Sequence, residues 1–316
     1  MNKRPLFLFV KFIISSVLIW FIASNFDIGT AIGRYQDINY LYLYGAVVIF
    51  IMLIINNTAR WMVVLNAINA DLPFRIALKI IYISVFFNQT LPSTIGGDAF
   101  KIFLARKAGM NLQMAINGVM LERAISLFGL ILLVVLCQPF LLARIGDNPA
   151  KYLFPALAGV ALIGIIILML LDRLPKGLQT WRIIVALVDL ASDTKRLFLS
   201  PGYALKALML GFFGNILVSM WAYLTFCALS VEVSVLDCLV LIPPVILFIT
   251  LPISVAGWGI REGAMVGAFA LVGIFEGDVF VVSLLFGLLN IIFSLPGGFL
   301  WLISDYNRSD VVEKVE

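Results

Sequence analysis

Glu122 and Arg123 stand side by side about ten residues into an apolar stretch near 112–136, roughly 15 Å deep if that stretch is a helix. Ionisable groups at such depth in lipid are costly, face protein or water, and mark functional sites. Neighbours on a helix point in different directions, so each needs its own partner. Arg261 for Glu122 and Asp98 for Arg123 are the candidates. A buried charge pair with a purely structural role is the competing reading.

Two glycine-containing segments carry the remaining chemistry. Gly96-Gly97-Asp98 opens a short helix whose amino end attracts an anion such as a phosphate through free amides and the helix dipole. Asn88, Gln89, Thr90, Ser93 and Thr94 supply neutral donors beside it, and Lys101 adds a cation one turn on. Asp98 opposes an anion there, unless it serves as an N-cap. The second segment runs from Ala256 through Gly257, Trp258, Gly259 and Ile260 to Arg261 and Glu262. Its glycines permit tight backbone geometry. Arg261 suits bidentate phosphate contact, or else pairs with an acid, either Glu262 or a residue across the bundle. Trp258 either stacks on a ligand or anchors at the membrane interface. Arg60, close to Asn56 and Asn57, is expected to mark the cytoplasmic border; Asn117, Asn215 and Asn290 are expected as hydrogen-bonding glue between helices.

Other chemistries are excluded. The chain has no histidine, hence no histidine base, ligand or triad. Its three cysteines, Cys137, Cys227 and Cys238, lack metal spacing and form no disulfide framework. No GxxxxGK[ST] loop is present. Neither a metal nor a cofactor is expected, and the net charge of +4 reads as loop bias rather than a nucleic-acid footprint.

The elements that must hold these residues are membrane helices. Hydrophobic residues make up 62% and charged residues 13%, with mean hydropathy +1.08. Uncharged runs at 38–59, 124–143, 152–171, 207–231 and 279–304 approach the ~20 residues of a spanning helix. The segment 5–26 qualifies if Lys11 snorkels, and it reads as a span rather than a signal peptide. Thr90-Leu91-Pro92-Ser93-Thr94-Ile95-Gly96-Gly97 returns as Thr250-Leu251-Pro252-Ile253-Ser254-Val255-Ala256-Gly257, with Pro92 and Pro252 as hinges. Broken helices in corresponding places of two halves point to a transport site near the bilayer midplane.

Loop charge sets the expected topology. Basic residues at Lys3, Arg4, Arg60, Arg75, Lys79, Lys101, Arg106 and Lys107 place those loops in the cytoplasm, and Glu232, Asp237, Glu276 and Asp278 lie outside. Segment 73–108 then reads as a hairpin entering from the cytoplasm, with a first arm at 80–91, and the second broken segment dips from outside. The expectation is an all-α polytopic membrane protein of six spanning helices plus two re-entrant helical hairpins, or eight or more spans if the hairpins cross. It forms one transmembrane domain, 1–316, with inverted pseudo-repeats 1–140 and 150–305 and an amphipathic interfacial helix about 178–199. Both termini are expected in the cytoplasm, in a cytoplasmic (inner) membrane.

Three motifs in order resemble the lysylphosphatidylglycerol synthase/flippase transmembrane family over roughly 10–300. They are Pro92-x-x-x-Gly96-Gly97-Asp98-x-x-Lys101, Glu122-Arg123, and Pro252-x-x-x-x-Gly257-x-Gly259-x-Arg261-Glu262. Lys101 departs from the arginine more familiar there. The resemblance implies movement of anionic or phosphate-bearing lipids across the cytoplasmic membrane. Full-length synthases of this kind carry a soluble aminoacyl-transferase domain after the membrane part; with the chain ending at Glu316, a free-standing flippase-type module is expected.

The leading expectation is therefore a lipid flippase, not an enzyme, whose partner is a membrane lipid with an anionic or isoprenoid phosphate. Lys101, Arg123, Arg261, Gly96, Gly97, Gly257, Trp258, Gly259, Asn88 and Thr90 contact the head group. Asp98, Glu122 and Glu262 pair with the cations or couple protons. The alternatives are a membrane-embedded transferase acting on a polyprenyl-phosphate lipid and a secondary carrier for a small anionic solute.

Overall fold

The computed structural model of the protein describes residues 38–91, 96–145, 159, 163, 182–250 and 257–304. Among them lie nine α-helices and no strand. Apart from Gly159 and Ile163, the expected spans 5–26 and 152–171 fall outside the described residues, as do Pro92, Ser93, Thr94, Pro252 and Ala256.

Asn39 opens the first helix, α1 (Tyr40–Ala67), its side chain accepting the Leu41 amide at 3.1 Å. An apolar face of Leu41, Tyr44, Val48, Ile51 and Ile55 is exposed, as lipid-facing residues recur at three and four positions. Asn56, Arg60, Trp61 and Val64 face inward. Three more helices are long and apolar enough to cross a membrane: α4 (Leu112–Ile145), α6 (Pro201–Ala228) and α9 (Glu276–Leu302). Pro201 starts α6, where its missing N–H costs nothing.

The shorter helices come in two pairs. α2 (Phe74–Thr90) and α3 (Gly96–Lys107) flank the first break; α7 (Val235–Thr250) and α8 (Ile260–Ala270) flank the second. By helix rise the 17 residues of α2 span roughly 26 Å, against roughly 18 Å expected for the arm 80–91. The difference arises because Arg75 and Lys79 lie within α2, where long basic side chains can sit on a helix and still reach polar surroundings. α7 runs unbroken through Pro243 and Pro244 as far as Thr250, and residues 251–256 lie outside the described residues. α5 (Arg182–Phe198) lies within the segment 178–199, with Leu190 buried.

Packing repeats between the two sets of helices. α2 contacts α1, α3 and α9, and α7 contacts α6, α8 and α4. α3 rests on α4 as α8 rests on α9, and α1 and α6 share the most extensive interface. Small residues let the backbones close: a Cβ on Gly129 of α4 would lie 2.3 Å from the Gly211 carbonyl carbon of α6. Phe50, Trp221 and Phe293 join α1, α6 and α9, with ring centroids 5.4–6.1 Å apart. Phe87 stacks on Phe100 at 3.5 Å, closing α2 onto α3, and the Tyr82 hydroxyl donates to the Phe293 carbonyl at 2.9 Å.

Candidate functional site

Four cations and three carboxylates from α1, α3, α4 and α8 form three clusters in the interior. In the first, Glu122 accepts from Arg60 Nε at 2.8 Å and again from Arg60 Nη2, while its other oxygen accepts from Lys101 Nζ at 3.0 Å. Lys101 Nζ also lies 4.4 Å from the centroid of the Trp61 ring. All three ionisable side chains are more than nine-tenths buried. Burying charge is tolerable here because each carboxylate oxygen meets a cation.

This geometry corrects two expectations. Glu122 does not meet Arg261; its partners are Arg60 and Lys101. Arg60, expected at the cytoplasmic border as a solvated charge, is instead 6% exposed and ion-paired within the protein. The packing of α1 on α4 turns the Asn56–Arg60 face inward, and Gly214 of α6 makes room, since a Cβ there would lie 3.3 Å from Arg60 Nη1.

The second cluster agrees with its expectation. Arg123, one residue on, points away from Glu122 and pairs with Asp98 of α3. Asp98 lies in the first turn of α3 rather than at its cap. The Arg123 side chain remains 42% exposed, the most open of the four cations.

The third cluster centres on Arg261, whose Nε and Nη2 donate to Glu262 Oε1 at 3.0 and 2.5 Å. Glu262 Oε2 accepts the Gly259 amide at 2.5 Å, capping α8 as well. Gly257 and Gly259 have φ of 82° and 85°, the left-handed geometry that their types permit. The guanidinium lies 4.5 Å from the Trp258 ring centroid, so Trp258 stacks on Arg261. Gly287 of α9 also adjoins it, since a Cβ there would fall 2.1 Å from Arg261 Nη2.

These clusters border one interior space with three adjoining lobes that all touch Ser126. The lobe of about 290 Å³ is lined by Asn57, Arg60, Asn215, Trp221, Arg261 and Asn290, among others. A second, of about 430 Å³, adds Asn88, Gln89 and Arg123. A third, of about 180 Å³, reaches Asp98, Lys101 and Glu122. The structure thus brings Lys101, Arg123, Arg261, Asn88, Asp98 and Glu122 to a common cavity.

The remaining expected contacts lie elsewhere. The amide of Gly97 is taken by Asn88 Oδ1 at 3.0 Å, and that of Gly259 by Glu262, so neither is free to meet an anion. Thr90 is exposed and donates to the Phe86 carbonyl. Gly96, Gly257, Trp258 and Glu262 do not line the three lobes. Asn117 and Asn215 do bridge helices, to Asp193 of α5 at 2.7 Å and to the Ser126 carbonyl of α4 at 3.3 Å. Asn290 instead lines the cavity, and no described residue hydrogen-bonds its amide. Sequence reasoning missed Arg60 and Asn57 as cavity residues. A heptad-like inward face of Leu53, Asn57, Arg60 and Val64 was the available signal.

Among the described residues the three clusters bring together four cations and three carboxylates, and charge acts strongly where its surroundings are of low dielectric. Such a cavity can hold an anion by charge-assisted hydrogen bonds from Arg60, Arg123 and Arg261. A protein-family profile described as "Lysylphosphatidylglycerol synthase TM region" matches residues 8–298. A search of curated proteins gave no match.

Proposed function

Because the chain belongs to the lysylphosphatidylglycerol synthase transmembrane family, we propose that it moves an anionic or isoprenoid phosphate-bearing lipid across the cytoplasmic membrane. One observation carries this reading: Arg60, Arg123 and Arg261, from three different helices, border adjoining lobes of one largely apolar cavity between the helices. Irregular backbone at membrane depth survives only around such interior spaces. The head group enters the cavity, and the acyl chains remain in lipid. Its phosphate displaces carboxylate oxygens from the cations, first at the exposed Arg123–Asp98 pair and then at Arg261.

Alternating access follows from the repeated architecture. Pro92, Gly97 and Lys101 recur 160 positions later as Pro252, Gly257 and Arg261, and the packing of α2 and α3 parallels that of α7 and α8. We read the two pairs as re-entrant hairpins from opposite faces of an inverted repeat, with both termini cytoplasmic. Rocking of one half against the other then exposes the cavity to each leaflet in turn. The transferase alternative would use Asp98 or Glu122 as base; both are ion-paired to cations in this structure.

The test is native mass spectrometry of detergent-extracted protein with identification of retained lipids. The reading expects an anionic lipid whose occupancy falls at least tenfold in Arg261→Ala, about 1.4 kcal/mol. No retained anionic lipid, or one indifferent to Arg261 and Arg123, overturns it and favours the soluble-anion carrier.

A further inference from the structure

The three carboxylates that hold the arginines and Lys101 are not equivalent. Glu122 accepts from Arg60 on one oxygen and from Lys101 on the other, so the loss of either cation leaves it the second. Glu262 accepts the Gly259 amide as well as Arg261. Asp98 pairs with Arg123, and among the described residues no other group donates to it. Its side chain is 15% exposed, whereas that of Arg123 is 42% exposed.

A phosphate that takes the Arg123 guanidinium therefore strips Asp98 of its counter-charge. A carboxylate so placed is costly to keep ionised. Lys101 lies one turn on along α3, but Glu122 holds it at 3.0 Å and the Trp61 ring lies 4.4 Å from it. Arg60 of α1 is engaged by the same carboxylate. Glu122 itself, on α4, is a like charge and opposes an ionised Asp98 further. α2, the other helix packed on α3, brings Ser84 and Asn88 to this lobe and no charged group. The counter-charge still available to Asp98 is a proton from solution.

Resting on the reading of an anionic lipid ligand, we infer that lipid and proton cross together: Asp98 takes up one proton when the phosphate takes Arg123 and releases it when Arg123 returns. In the empty state the pair is guanidinium and carboxylate. In the loaded state it is guanidinium and phosphate beside a neutral carboxylic acid. One negative charge and one proton move together, so no net charge crosses the membrane. Because loading takes up a proton, apparent affinity falls as pH rises, by up to about tenfold per pH unit.

The protein is reconstituted into phosphatidylcholine liposomes containing tail-labelled phosphatidylglycerol, whose phosphodiester carries one negative charge and does not titrate near neutral pH. A membrane-impermeant quencher reads the share of label in the outer leaflet. With the outside more acidic by one pH unit, label is expected to accumulate in the inner leaflet, up to about tenfold. Either orientation of the protein gives the same sign. A membrane potential of about 60 mV would redistribute a lone unit charge tenfold, and it is expected to leave the label where it was. Asp98→Asn stays neutral at every pH, so label that crosses in this variant should ignore the pH step and follow the potential. A wild-type distribution that ignores the pH step, or follows the potential, overturns the coupling and leaves lipid transport standing; that readout needs no variant to fold. A pH response that survives in Asp98→Asn overturns the assignment to Asp98. No movement of this lipid or of a labelled polyprenyl phosphate above empty liposomes overturns transport and coupling together.

Discussion

Glu122 holds Arg60 and Lys101 together, and removing its charge leaves two buried cations facing each other without its counter-charge. Breaking a buried pair from one side costs about 3–5 kcal/mol. Glu122→Gln is therefore expected to lower thermal stability in detergent markedly; an unchanged unfolding temperature would show that the network contributes nothing. Arg261 is constrained differently, by the Trp258 ring and the bare backbone of Gly287. Gly287→Ala puts a methyl where the guanidinium lies, an overpacking cost of about 1–3 kcal/mol that Arg261 relieves by moving. It should weaken lipid retention nearly as much as Arg261→Ala. Gly267→Ala on α8, where a Cβ meets open space, should retain lipid normally.

At the scale of elements, the two helical pairs decide the topology. The re-entrant reading places Lys107 at the cytoplasmic face and Glu276 outside. After replacement of Cys137, Cys227 and Cys238, an impermeant thiol reagent should label Lys107→Cys only from the cytoplasmic side and Glu276→Cys only from outside. Labelling of both from one side would rule out that arrangement. The existence of these helices was legible from apolar length and the repeated proline-glycine breaks. Their limits were less so. α2 begins six residues before the expected arm, because a helix continues past charges whose long stems reach polar surroundings. α4 continues through Pro139 to Ile145 in the same way that α7 passes Pro243 and Pro244.

At the scale of the molecule, the cavity belongs to no single element. Arg123 of α4 and Arg261 of α8 face the same lobe, so a shared ligand couples them. A double-mutant cycle of Arg123→Gln and Arg261→Gln on lipid binding should show a coupling of about 0.5–3 kcal/mol, as residues sharing a partner do. Arg123→Gln combined with Asn117→Ala, whose amide faces Asp193 instead, should add within about 0.5 kcal/mol. Additivity in the first cycle would mean that the two arginines serve separate sites.

Composition and spacing alone determined that this chain lies in a membrane, that two of its segments break, and that Glu122 and Arg123 need different partners. These follow from local rules: helix rise, hydropathy, and the divergence of adjacent side chains. The Arg123–Asp98 pair was reachable by the same logic, since α3 and α4 adjoin in sequence. Only the tertiary structure decided that Glu122 answers Arg60, 62 positions away, rather than Arg261, which turns to its neighbour Glu262. That choice depends on how α1 rotates against α4 and how Gly214 and Gly287 admit two guanidinium groups. Such contacts arise from packing between distant helices, which no local periodicity encodes.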